Sequence, residues 1–277
     1  MSDPYYHQYK PSSLLENAIE CYWIFRGAND PMEGLQGLIP GGRIECIFHL
    51  RGPVNWLISG SATEGYSFNL PFILGQRDRI FYAKPGGNVE LLGIRFKPGG
   101  FGLFSKVTAD ILLNRIIPAH ELLSGFPARL DHKLRSDITD SERIFLVEDA
   151  LAKLRLAAGQ EFIEVREMID SIRKCDVPDQ VSSFCSDRSI HYKKLERVFL
   201  KWVGYGPKSY FRILRFNRAL KEMAPASRTL TGIAHGGGYY DQSHFIRDFR
   251  QFAGTSPGKF NLSSWYVSSL LIKHQPV

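Results

Sequence analysis

Tyr239-Tyr240-Asp241-Gln242-Ser243-His244-Phe245-Ile246-Arg247-Asp248-Phe249-Arg250-Gln251-Phe252 reads as an amphipathic helix with its cap attached. Asp241 is the kind of side chain that accepts from the free N–H groups of a first helical turn. Phe245, Phe249 and Phe252 recur at i, i+4 and i+7 and make one inward stripe, which leaves Gln242, Ser243, Arg247 and Arg250 on other faces. Just upstream, Leu230-Thr231-Gly232-Ile233-Ala234-His235-Gly236-Gly237-Gly238 reads as a shorter helix ending in glycine, so the whole is helix, turn, helix. Glutamine and arginine near the start of a second helix can reach base edges, glutamine pairing with adenine and arginine with guanine O6 and N7.

The same plan recurs about fifty residues earlier. Val181 to Asp187 forms a first helix, Arg188 to Ile190 a turn, and His191-Tyr192-Lys193-Lys194-Leu195-Glu196-Arg197-Val198-Phe199 a second helix, in which Leu195 and Phe199 mirror Phe245 and Phe249. Each second helix is followed by a glycine and then a proline step, Gly204-Tyr205-Gly206-Pro207 and Gly254-Thr255-Ser256-Pro257. Between the copies, Pro207 to Met223 reads as one helix of roughly 25 Å, enough to hold two recognition helices about one DNA turn apart.

Charge follows the repeat. The chain of 277 residues carries a formal +7, yet Val181 to Phe260 holds 14 Lys and Arg against 5 Asp and Glu, while the remaining 197 residues hold 21 against 23. The positive excess therefore lies in this one segment, which points to an anionic partner there.

On these residues the chain resembles AraC/XylS-type bacterial transcription regulators, over roughly 160–261. The likeness is strongest from Tyr239 to Pro257, with Leu195-Glu196-Arg197-x-Phe199, Gly204-x-x-Pro207 and Arg215-x-x-x-Ala219-Leu220 matching in the first unit and linking helix. The resemblance implies base reading by Tyr192, Lys193, Glu196 and Arg197 in the first unit and by Gln242, Ser243 and Arg247 in the second. Glu196 stands equally well as a residue that orients Arg197 or stays solvated. Lys201, Lys208, Arg212 and Arg250 are basic but lie off the reading faces, which suits phosphate contacts. The chain departs from the family pattern at Gly236 and Gly237, which cost about 1 kcal/mol of helix each relative to alanine and leave a core position without a side chain. It also has Arg188 where an apolar residue is usual, Ser189 in place of the turn glycine and His191 in place of a Ser or Thr cap.

The N-terminal half reads differently. Tyr22 to Phe104 is dense in Gly and Pro, with short β-branched and aromatic runs at Arg43–Leu50, Val54–Ile58, Ile80–Ala83 and Val89–Phe96. In the first of these, Ile44, Cys46, Phe48 and Leu50 share a face. Lys-Pro-Gly-Gly occurs at Lys84–Gly87 and Lys97–Gly100, and both suit type II turns. Many short strands with little room for crossover helices favour an antiparallel barrel or sandwich. Thr139-x-x-Glu142 has the form of a capping box and opens a seam of Ile144, Val147, Leu151, Leu154 and Ala158, which serves either its own chain or a dimer. A second seam of Phe162, Val165, Ile169 and Ile172 starts after Gly159.

The expected fold class is α+β: a β-rich sensor or oligomerisation domain over 1–120, a helical connector over 121–159, an all-α double helix-turn-helix domain over 160–262, and a tail over 263–277. Leu38-Ile39-Pro40-Gly41-Gly42-Arg43 to Phe48 and Gly93 to Gly100 resemble an uncharacterised sensor type found before such DNA-binding domains, which implies no known ligand. Tyr22, Trp23, Phe25, Trp56, Phe68 and Phe72 are candidates for an aromatic pocket, though residues of this kind are more often core.

Enzyme signatures are absent. The barrel half has His7 and His49 with no carboxylate at ligand spacing, and no G-x-S-x-G, Walker-type or G-x-G-x-x-G run occurs. Cys21, Cys46, Cys175 and Cys185 lie too far apart for a C-x-x-C site and read as reduced hydrophobes. Apolar stretches such as Phe68–Leu74 and Val267–Ile272 fall well short of the roughly 18 residues a membrane span needs, and no secretory leader is evident, so the expected location is the cytoplasm. The reading is a sequence-specific regulator that performs no chemistry and uses no cofactor or metal. Its partners are double-stranded DNA, an effector of unknown identity, and, as candidates, RNA polymerase and a second copy of the chain. The rival reading is a β-barrel binding protein or enzyme with a vestigial DNA-binding module.

Overall fold

The computed structural model describes residues 5–27, 35–58, 65–67, 70–174, 181–223 and 229–260. Phe68, Cys175 and the tail beyond 260 lie outside the described residues.

Among the described residues ten strands come first: β1 (Tyr5–Tyr9), β2 (Ile19–Gly27), β3 (Gln36–Leu38), β4 (Glu45–Arg51), β5 (Val54–Ile58), β6 (Gly65–Ser67), β7 (Phe72–Leu74), β8 (Phe81–Pro85), β9 (Val89–Phe96) and β10 (Ile116–Pro118). They form two antiparallel sheets, one of six strands in the order β1-β2-β9-β4-β7-β10 and one of four in the order β3-β8-β5-β6. Among the described residues the sheets stay separate and do not close into a barrel, so the sandwich form of the expectation is the one realised.

Helices follow: α1 (Ala119–Leu122), α2 (Phe126–Leu134), α3 (Asp140–Leu154), α4 (Gln160–Lys174), α5 (Val181–Asp187), α6 (Tyr192–Val203), α7 (Pro207–Glu222), α8 (Leu230–Gly236) and α9 (Gln242–Ala253). No helix among the described residues is long and apolar enough to cross a membrane.

The six-stranded sheet is covered on both faces. Toward the smaller sheet, Trp23, Phe25, Ile47, Phe72 and Leu91 pack with Trp56, Phe81 and Ala83. On the other face, Tyr22, Ile24, Cys46, Phe48, Leu50, Leu92 and Ile94 pack with Phe126, Leu134, Ile144, Val147 and Leu151 from the helices. This explains why β4 is buried from Glu45 through Leu50 rather than at alternate residues, as a strand covered on both sides must be. Tyr22 therefore sits in a different core from Trp23, Phe25, Trp56 and Phe72, and these aromatics serve as packing.

A price in polar groups comes with the second cover. Glu45 and Arg95 are buried partners at 2.9 Å, and the Trp23 Nε1–H also donates to Glu45 at 3.1 Å. Burial pushes the Glu45 carboxyl up, but Arg95 and Arg77 outweigh it and hold the group below the usual range.

The two Lys-Pro-Gly-Gly turns differ. At Lys97–Gly100 the Gly100 N–H donates to the Lys97 carbonyl at 2.8 Å and Gly99 has φ +83°, as a type II turn requires. At Lys84–Gly87 the ladder runs one step further, with Gly86 N–H donating to the Pro53 carbonyl, and the positive φ falls on Gly87 instead.

Thr139 and Glu142 form the expected capping box at the start of α3. The helix ends at Leu154, so Ala158 is outside it, and Ile144, Val147 and Leu151 face their own chain.

The helical half docks closely on the sandwich. On α4, Phe162 belongs to the N-terminal core while Val165, Ile169 and Ile172 belong to the C-terminal one. Trp202 lies against Gly102, where a Cβ would fall 2.6 Å from the indole. The Tyr205 hydroxyl donates to the Arg77 carbonyl, and Asn217 Nδ2 donates to the Pro40 carbonyl at 3.1 Å. Along this seam both side-chain polar atoms of Gln76, and Nε and Nη1 of Arg77, are buried with no hydrogen-bond partner among the described residues. Groups of that kind cost roughly 1–3 kcal/mol each.

Candidate nucleic-acid interface

In the second helix-turn-helix unit, the Thr229 hydroxyl caps α8 by accepting from Gly232 N–H at 3.2 Å. The chain then turns through Gly238 at φ +81°, with Tyr239 N–H donating back to the Ala234 carbonyl at 2.9 Å. Asp241 caps α9 as expected, its Oδ1 accepting from His244 N–H at 2.7 Å. Phe245, Phe249 and Phe252 are buried, and the Phe216 ring of α7 lies 5.4 Å from that of Phe249 and 5.1 Å from that of Phe252.

The glycines before the turn do not carry the cost the sequence suggested. Gly236 is the last residue of α8 and Gly237 its C-cap, so neither interrupts the helix. A Cβ on Gly237 would lie 2.7 Å from the Cβ of Ala219, so this position has no vacant core volume: α8 and α7 approach too closely for a side chain.

The stripe anchors α9 with its polar residues outward. Ser243, Arg247 and Arg250 are exposed and Gln242 is half-buried, its Oε1 3.4 Å from the Thr231 hydroxyl. Asp248, on the inner side, is fully buried and paired with Arg212 of α7 at 2.7 Å. Arg212 also donates to Gln251 at 2.7 Å, so its guanidinium ties α7 to α9.

The first unit is built with less favourable parts. Ser189 holds the turn at φ +52°, a region where only glycine is unstrained. His191 caps α6 through Nδ1, which accepts from Lys193 N–H at 3.3 Å. Arg188 is exposed and lies 4.4 Å over the Phe184 ring. Leu195, Val198 and Phe199 form the buried stripe, and Lys193 and Arg197 are exposed. Tyr192 is half-buried, donates to Glu196 Oε1 at 3.2 Å and has the Lys208 ammonium 5.7 Å from its ring centre. Lys208 is exposed, whereas Lys201 pairs with Glu161 of α4, and that pair holds the Glu161 carboxyl below its ordinary value. Both units close alike, with Gly204 at φ +85° and Gly254 at φ +68° ending their second helices.

Two contributors escaped the sequence reading. Tyr240 is 88 % exposed beside the α9 cap, and only its place in an otherwise tight turn could have singled it out. The Arg212–Asp248 pair spans 36 residues and leaves no local pattern. Among the described residues no cluster of three or more His, Cys, Asp and Glu could hold a metal ion.

Comparison with known proteins agrees with this division. Residues 7–118 match a domain of unknown function (DUF6597), and residues 185–262 match a helix-turn-helix domain. The HTH-type transcriptional regulator ArgR of Pseudomonas aeruginosa is 31% identical over 65 residues, which are 24% of this chain and 20% of that protein. The chain thus spans about a fifth of the length of this curated relative. Two structures of ToxT from Vibrio cholerae O395 align with most of the chain. One has a TM-score of 0.50 at 11% identity, covering 87% of this chain and 97% of the other; the second has 0.46 at 14%, covering 92% and 97%.

Proposed function

We propose, on the premise that residues 185–262 match a helix-turn-helix domain and resemble the DNA-binding part of AraC/XylS-type regulators, that the chain is a sequence-specific DNA-binding transcription regulator in the cytoplasm. The observation that carries this reading is α9: a capped helix, held from within by three phenylalanines, that offers Gln242, Ser243 and Arg247 on its open side. Tyr192, Lys193, Glu196 and Arg197 serve the first major-groove segment, and Gln242, Ser243 and Arg247 the next. Lys201, Lys208, Arg212 and Arg250 contact phosphates, Lys201 and Arg212 through N–H groups that their Glu161 and Asp248 partners leave over. The sandwich domain supplies control, through an effector or a second copy that changes how the reading helices meet a promoter, with RNA polymerase as the downstream partner. The protein carries out no chemistry of its own.

Arg247→Ala tests the reading. It should cost about 1–3 kcal/mol on the preferred site while nonspecific binding stays nearly unchanged. An equal loss on scrambled DNA would make Arg247 a phosphate contact, and failure to enrich any genomic fragment at low salt would remove the function altogether.

A further inference from the structure

We propose that Glu196 selects a cytosine in the first major-groove segment by accepting from its N4 amino group, and that Tyr192 acts as the residue that positions it. The proposal rests on the reading of α6 as a base-reading helix and assigns its chemistry.

Glu196 is an acid among cations. Lys193, Lys194, Arg197, Lys201 and Lys208 surround it in sequence or across the turn, yet no described cation forms an ion pair with it. Lys194 pairs instead with Glu164 at 3.6 Å and Lys201 with Glu161. The contact Glu196 does make is with the Tyr192 hydroxyl, one turn earlier on the same helix, at 3.2 Å to Oε1. Burial and the neighbouring carboxylate push the Tyr192 hydroxyl above its ordinary range, so it keeps its proton and is the donor. One carboxylate oxygen is thereby fixed and Oε2 is left for another donor.

The identity of that donor follows from charge. An ionised carboxylate is an acceptor only, so a phosphate repels it. Guanine offers N7 and O6 acceptors in the major groove, and thymine an O4 acceptor with a methyl group. Adenine offers an amino group, but its N7 acceptor sits beside it and opposes the second oxygen. Cytosine offers the N4 amino group as its polar feature there.

The test begins with selection of preferred duplexes by the full-length wild-type chain, followed by binding to every single-base variant of the enriched site. One cytosine in the first-unit half should lose about tenfold in affinity when changed to thymine. N4-methylcytosine at that position keeps the base pair, replaces the outward N–H with a methyl group, and should lose as much. Glu196→Gln should bind all three within about twofold and leave preferences at other positions intact. Tyr192→Phe keeps the ring beneath Lys208 and should narrow the cytosine preference about threefold at an unchanged melting temperature. A site with no cytosine that answers to Glu196→Gln overturns the assignment, as does a Glu196→Gln variant weakened equally on every sequence. If wild type enriches no sequence, the reading of α6 itself falls.

Discussion

Arg212 Nη2 lies 2.7 Å from Oδ1 of Asp248, and this pair fastens α9 to α7. Asp248 has no exposure and Arg212 retains about a third, so the pair is one-sided in burial. Asp248→Asn should destabilise the protein by roughly 2 kcal/mol, because the guanidinium keeps a partner of the right shape but loses its countercharge. Urea denaturation checks this, and a loss below about 0.5 kcal/mol would show the clamp to be ornamental.

Gly237→Ala separates two effects of opposite sign. Gly237 has a φ of −76°, which alanine adopts without strain, so restricting the unfolded chain favours alanine by about 0.4–1 kcal/mol. The added Cβ, however, would meet Ala219 at 2.7 Å, and forcing α8 from α7 should cost about 1–3 kcal/mol. The expected net result is a lower melting temperature, with Ala219→Gly restoring part of it in the double variant. A stabilised single variant would mean that the helices part freely.

At Ser189 the sign reverses. Its φ of +52° suits glycine, so Ser189→Gly should raise stability by about 0.5–1 kcal/mol despite the greater freedom of the unfolded chain. The measurement is the shift in denaturation midpoint at constant slope.

Burial, against the opposing pull of Asp248, lowers the pKa of His244 below 6.5. The unfolded chain therefore binds a proton more readily than the folded one. The stability due to a neutral His244 is complete above about pH 6.5 and is lost as pH falls toward the depressed folded value. His244→Gln should flatten the pH dependence of the melting temperature below 6.5, and an unchanged slope there would remove His244 as the cause.

Gln76→Leu addresses the seam. Both polar atoms of this side chain are buried without partners among the described residues, so an apolar side chain of similar size should stabilise the protein by about 1 kcal/mol. Destabilisation would point to an ordered water held by the amide.

Much of this was legible in sequence because it is local. The Asp241 cap, the phenylalanine stripe, the Thr139 capping box and the β9 run depend on neighbours within a few residues, and each appears where its spacing put it. What was hidden depends on the far side of an element. Period-two reading put Ile44, Cys46, Phe48 and Leu50 on one buried face, and could not show that Glu45, Ile47 and His49 are covered by the second sheet. Gly237 looked like a missing side chain because Ala219 is 18 residues away. For the candidate reading residues, sequence supplied their helices, while the partnerships of Glu196 with Tyr192 and of Lys201 with Glu161 required coordinates.

The docking of Trp202, Tyr205 and Asn217 onto the sandwich bears on how such chains can be recombined. A cut near residue 159 follows the border drawn where Gly159 interrupts the apolar seam, but it would strip the surface around Gly99 and Gly102 of the indole that fills it. A sandwich domain grafted onto a foreign helical domain would inherit that bare surface. Transplants should therefore carry the matching residues of α6 and α7 with the sandwich, making the heritable unit larger than either domain.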